Sequence, residues 1–159
     1  MTFSERMDDS GSADEILCER IGNAGGRTEV MTPKITGADS VANWFGEWPS
    51  FHDAEIMTLH IDRERGASFM RVRAFTRSNR VDSDGHFIRE RDALVVFEFT
   101  GIRSIRIEGE DADVQNVISG LIVEDLNDGF RLSLGPCYGI AGEIVVKELT
   151  VRLESTFQS

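Results

Sequence analysis

The chain has 159 residues, a mass of 17.7 kDa and a formal net charge of -11, which allows one ordinary domain with its own core. That charge opposes nucleic-acid phosphate, whose binding needs clustered Lys and Arg, and nowhere does an apolar run reach the roughly 18 residues that argue for a membrane-spanning helix. The start, Met1 to Asp9, has neither the basic nor the apolar stretch of an export signal, so a cytoplasmic protein with no membrane partner is expected.

Residues 1–33 read as a disordered or loosely ordered acidic extension, because they hold too few large apolar side chains to offset the entropy of ordering them. Within them Asp14 to Ile21 has a two-turn helical pattern, marginal without packing. Met31-Thr32-Pro33 offers a second translation start, and a single β-rich domain is expected over 34–155. Asp39 to Gly46 combines a cap-like acid, apolar residues Val41, Trp44 and Phe45 and a glycine stop, which predicts a short helix. Pro49 pushes Trp48 out of helical geometry, and after it the apolar period changes from about four to two.

In the first strand Met57, Leu59 and Ile61 alternate with Thr58, His60 and Asp62, placing His60 outward. In the second, Met70, Val72 and Ala74 share one face and Arg71 and Arg73 the other, with Gly66 in the turn between. A loop over 78–85 leads to Ala93–Phe99, the most apolar run and so an expected central strand. Gly101 is expected to turn the chain into a strand over 102–108, an acidic loop follows, and Val114 to Ile118 reads as a helical turn. Asn127-Asp128-Gly129 is a tight hairpin turn between Leu121–Leu126 and the alternating Phe130, Leu132 and Leu134. In the last strand Ile144 and Val146 share one face but Leu149, Val151 and Leu153 share the other, which predicts a bulge or bend near Lys147. The expected fold is therefore mainly β, an antiparallel sheet or two-layer sandwich of about seven strands with one short N-terminal helix.

Few residues could carry chemistry. His52, Asp53 and Glu55 offer an imidazole and two carboxylates, but in an extended segment His52 and Asp53 face opposite sides, and no HExxH or adjacent nucleophile completes a site. The plainer reading has His52 and Asp53 hydrogen-bonding backbone where the loop enters the sheet, with Trp48 and Phe51 packed beneath. Asp82, Asp84 and Gly85 lie in a calcium-loop-like run, yet the register that puts Gly85 sixth puts Arg80 first and Arg91 twelfth, where acids are needed. The glycine-rich 135–142 lacks the Lys-Ser/Thr ending of a phosphate loop and reads as a turn. Glu108, Glu110, Asp111 and Asp113 form either a docking patch for a basic partner or a solvated loop. Cys18 and Cys137 have no metal-knuckle spacing and read as free thiols. No metal and no cofactor are expected.

The segment Trp48-Pro49-Ser50-Phe51-His52-Asp53-Ala54-Glu55, behind a short helix and ahead of an alternating strand, resembles the immunity protein 50 family, bacterial antidotes encoded beside polymorphic toxins. Asn116 to Leu121 and the Gly139–Gly142 turn before a final strand look like the same family's tail, so the likeness covers roughly residues 35–154. What the resemblance implies is a cytoplasmic protein that binds a cognate toxin domain and blocks it without doing chemistry. Trp48, Pro49, Phe51, His52, Asp53 and Glu55 are then structural or partner-binding positions. Two other readings stand beside it: a small metal-dependent hydrolase centred on His52, Asp53 and Glu55, and a non-catalytic scaffold.

Overall fold

The computed structural model describes residues 31–64, 66–109 and 115–154. Among them one helix, α1 (Ala38–Phe45), precedes six strands: β1 (Ala54–His60), β2 (Ser68–Val81), β3 (Phe87–Glu108), β4 (Val117–Leu126), β5 (Gly129–Tyr138) and β6 (Ala141–Glu154). Every strand pairing is antiparallel, and the sheet closes on itself in the order β1-β2-β3-β6-β5-β4. The fold is thus mainly β, as expected, with the sheet curled into a barrel. The closing seam is short: only Ala54 with Ile118 and Glu55 with Val117 join β1 to β4. Among the described residues no helix is long and apolar enough to cross a membrane.

Alternation fills the barrel. Met70, Val72 and Ala74 from β2 and Val95, Phe97 and Phe99 from β3 point inward and are buried, while Arg71 and Arg73 stay outside. Closure also leaves most strands no open edge on which another chain could pair.

Among the described residues six strands stand where seven were expected, because Gly101 does not turn the chain. Residues 93–99 and 102–108 belong to one strand that runs on through Gly101 at φ 64. At this point both β3 and its neighbour β6 show two successive exposed residues, Thr100 and Gly101 facing Glu148 and Lys147. Inward parity therefore switches in both strands together, from Phe99 and Leu149 to Ile102 and Val146. The expected irregularity near Lys147 is this shared bend, and the register shift that accompanies it lies on β3, between Ile102 and Ser104. Gly101 fits because a Cβ there would stand 2.6 Å from that of Lys147.

Other local expectations shift. A bulge in β1 between Ile56 and Thr58 makes Met57 the extra residue, so it is exposed and does not share the inward face of Leu59. The first half of 78–85 is ribbon: β2 runs to Val81 and β3 begins at Phe87, with the Asp82 carboxylate accepting the Asp84 and His86 N–H groups at the tip. Val117 and Ile118 open β4 where a helical turn was expected, Val114 lying outside the described residues. Gly135–Tyr138 is the end of β5, so only Gly139 and Ile140 turn there. The two-residue turn at Asn127-Asp128 sits where its sequence puts it. The Asp14 to Ile21 pattern and Cys18 lie outside the described residues, and Cys137 is a half-buried thiol on β5.

The helix and the chain after it plug the barrel. Thr36 bridges Thr150 in parallel and its carbonyl accepts the Val151 N–H at 2.9 Å, on the stretch of β6 that β5 leaves uncovered. Gly37, in the left-handed region at φ 90, then starts α1 without any side-chain cap, so Asp39 lies in the first turn and is not the cap. Ala38, Val41 and Phe45 are buried, whereas Trp44, expected on the same apolar face, is half exposed.

Candidate functional site

Gly46 ends α1 in the left-handed region, and the next seven residues make the junction to β1. Trp48 and Phe51 turn inward and meet Phe97 of β3 in a three-ring cluster, with centroids 5.6 to 6.4 Å apart and steep interplanar angles. Edge-to-face contacts of this kind add about 0.5–1.5 kcal/mol each beyond burial. This part of the expectation holds: the aromatic residues pack beneath.

The polar part is arranged differently. The junction backbone bonds to β4, Asp53 N–H to the Ile118 carbonyl at 3.0 Å and Leu121 N–H to the Ser50 carbonyl at 3.4 Å. The His52 and Asp53 side chains face each other, with Nδ1 to Oδ2 at 3.1 Å, and the same Asp53 oxygen receives the Arg77 guanidinium from β2. In place of the expected hydrogen bonds to backbone, Asp53 pairs with Arg77, because β2 brings a cation within reach, while the junction N–H groups are met by Ser50 Oγ at His52 and by the Ile118 carbonyl at Asp53.

Around this pair lies a cleft of about 270 Å³ between the end of α1, the junction and the root of the β2–β3 ribbon, walled by Phe45, Phe51 and Phe75 with Glu47, His52 and Arg77 among its polar groups. Arg77 and Arg89 both lie over the Phe75 ring, at 6.0 and 4.3 Å from its centroid. Arg91 donates from Nη1 to the Trp44 carbonyl at 3.2 Å, supplying a cation to the C-terminal end of α1. Among the described residues the non-glycine positions with positive φ are Phe51, Asp53 and Arg91, at 58, 60 and 50°. Phe51 and Asp53 line this cleft, and Arg91 reaches the end of α1 beside it. Left-handed backbone costs an ordinary residue about 1–2 kcal/mol, and such positions gather at functional sites.

The remaining predicted residues are scattered. Pro49 lines the cleft, but Glu55 sits on the outer face of β1 opposite Arg73 and does not join His52 and Asp53. Among the described residues no group of three or more His, Cys, Asp and Glu could hold a metal ion. Glu108 is exposed at the end of β3, and Glu110, Asp111 and Asp113 lie outside the described residues.

The barrel's outer arginines are mostly matched by acids. Arg71 pairs with Glu154 at 2.7 Å, Arg73 with Asp92 at 2.6 Å and Arg152 with Glu98 at 2.9 Å. The hydrogen bond from Arg73 to Asp92, then the Asp92 charge, raises the Arg73 pKa. Arg71 and Arg152 flank Val96, which points outward yet is 1% exposed, so alkyl stems cover an apolar spot while their heads stay in water.

Phe75, Arg77, Arg89 and Arg91 were missed because residues 78–85 read as an unpaired loop. The signal present was the recurrence of Arg and Phe on both sides of Asp82–Gly85, the pattern of a ribbon with a charged face.

Fold and site together define, among the described residues, a small antiparallel β-barrel stoppered by a short helix, with a cleft beside the stopper that Arg77 lines and Arg89 and Arg91 adjoin. No known family, curated protein or solved structure matches this chain.

Proposed function

We propose that this chain is a cytoplasmic immunity protein that binds a cognate polymorphic-toxin domain and neutralises it by occlusion, without catalysis and without nucleic acid. The supporting observation is the division of labour within the stretch that carries the family resemblance. Trp48 and Phe51 anchor the barrel stopper, while His52 and Asp53 reach the rim of a cleft on the surface. A rigid scaffold presenting a polar rim over aromatic walls suits protein recognition, where a few aromatic and arginine anchors dominate affinity. The charge of -11 raises the encounter rate with a basic toxin, and buried anchors set the off-rate.

The test is co-expression with the C-terminal domain of the protein encoded by the neighbouring gene, scoring growth rescue and co-purification. Rescue together with a stable complex is the expected result. A toxic neighbour that is neither rescued nor bound refutes the proposal.

A further inference from the structure

Acids outnumber basic residues 28 to 17 in this chain, so an exposed arginine without a carboxylate is the exception. Arg89 and Arg91 are two such exceptions, and each contacts the surroundings of the cleft without lining it, Arg89 through the wall residue Phe75 and Arg91 through the Trp44 carbonyl beside Phe45. Arg89 stacks on Phe75 and Arg91 holds the Trp44 carbonyl, but neither forms an ion pair with a described residue. Their neighbours Arg77 and Arg80 are engaged by Asp53 and Glu90. Arg63 and Arg106, also without a carboxylate in an ion pair, belong to the β1–β2 loop and the distal part of β3. The lining itself carries Glu47 and the Asp53–Arg77 pair, so the unneutralised positive charge, on Arg89 and Arg91, lies immediately beside the cleft within a negative surface.

Size narrows the occupant. About 270 Å³ falls just under the roughly 300–1,000 Å³ of sites that enclose small molecules, and it suits one or two side chains of a larger partner. The walls Phe45, Phe51 and Phe75 accept an apolar group, and Trp44 and Phe87, 49% and 59% exposed, extend apolar surface on the adjoining helix and ribbon.

We infer that this cleft docks an acidic segment of a partner protein, with an apolar side chain seated against Phe75 and flanking carboxylates paired to Arg89 and Arg91. The inference rests on the reading of the chain as a protein-binding module and specifies its contact face. Bidentate guanidinium–carboxylate pairs set register as well as energy. Glu47, on the cleft wall, repels a carboxylate placed on its side and so fixes the direction in which the segment lies. The rest of the negative surface attracts a partner that is basic as a whole, and the cleft selects the segment of opposite sign within it.

The probe is a fluorescein-labelled, terminally blocked pentapeptide Asp-Phe-Glu-Phe-Asp, followed by anisotropy at low salt against its Lys-Phe-Lys-Phe-Lys counterpart. Saturable binding of the acidic peptide alone is expected, weakened at least about tenfold by R89E and by R89Q and strengthened by E47Q. Circular dichroism checks that each variant is folded. No saturable binding of the acidic peptide, equal or tighter binding of the basic one, unchanged affinity in a folded R89E or R89Q, or full displacement by millimolar inorganic phosphate each overturns the inference. The co-expression assay separates it from the proposed function. A neighbouring toxin neutralised and bound equally well by wild type and R89Q defeats the cleft and leaves immunity standing. Peptide binding with no effect on a toxic neighbour does the reverse.

Discussion

Gly37 and Gly85 share a left-handed backbone, at φ 90 and 84, but not their surroundings, and this makes them a matched pair. At Gly85, on the tip of the β2–β3 ribbon, an added Cβ meets nothing within 4 Å, so Gly85→Ala costs only the conformational term, about 1 kcal/mol. At Gly37 the Cβ would be driven into the Val151 carbonyl oxygen. Residues 36 and 37 must then withdraw from β6. That breaks the 2.9 Å bond from Val151 N–H to the Thr36 carbonyl, a loss of about 1 kcal/mol. It also loosens Ala38 and Val41, 1% and 0% exposed, for about another 1–2 kcal/mol of apolar burial. Gly37→Ala should therefore destabilise by about 3–4 kcal/mol, roughly a 10 °C fall in Tm for a domain of this size. Urea unfolding followed by tryptophan fluorescence and circular dichroism measures both variants. If the two lose the same stability within about 0.5 kcal/mol, close packing of the stopper on β6 is not what requires glycine at position 37.

Two further predictions follow from the junction and from the β4–β5 turn. Phe51→Ala removes a ring that is 2% exposed and lies 5.6 Å from both Trp48 and Phe97, so about 3–5 kcal/mol should be lost. A loss under about 1 kcal/mol in the same urea titration would mean that the stopper is not anchored by this cluster. The Asp128 carboxyl is held below its ordinary pKa by the hydrogen bond from Arg103 and then by the charge of that residue. A depressed folded value contributes stability above the unfolded value and loses it as pH falls through the folded one. R103Q should thus raise the Asp128 midpoint toward the ordinary aspartate value in an NMR titration of the side-chain carboxyl. An unchanged midpoint would show that the pair does not persist in solution.

Periodic and local features were legible in the sequence. Met70, Val72 and Ala74 alternate with Arg71 and Arg73 because one face of β2 lines the core, and period two records that directly. Asn127-Asp128-Gly129 is a turn whose chemistry is local. The parity break at Lys147 was visible because it reverses the apolar face within one strand. What period two cannot carry is pairing. The same switch in β3 was read as a chain reversal at Gly101, since a glycine in a bend and a glycine in a turn look alike until the partner strand is known. Closure through two residue pairs between β1 and β4 leaves no periodic trace. The cleft is likewise non-local: Asp53 meets Arg77 across 24 residues and Arg91 meets Trp44 across 47. Trp44 and Met57 failed for a related reason, because an apolar side chain at a surface position has the same letter as one in the core.

The three non-glycine residues with left-handed backbone explain how stopper and cleft depend on each other. Glycine at position 51, 53 or 91 would relieve about 1–2 kcal/mol of backbone cost, yet each side chain makes a contact that glycine cannot. Phe51 closes the ring cluster with Trp48 and Phe97, Asp53 holds Arg77 over the cleft, and Arg91 binds the end of α1. The first of these is large, several kcal/mol of buried aromatic surface, and offsets its strain within the fold. The other two are smaller: Asp53 with Arg77 is a partly exposed salt bridge, worth about 0–1 kcal/mol, and Arg91 makes one charged hydrogen bond to the Trp44 carbonyl, worth about 1.5–3 kcal/mol at most. The left-handed backbone at Asp53 and Arg91 supports the proposal that this rim is preshaped for a partner, and the peptide assay is what decides it.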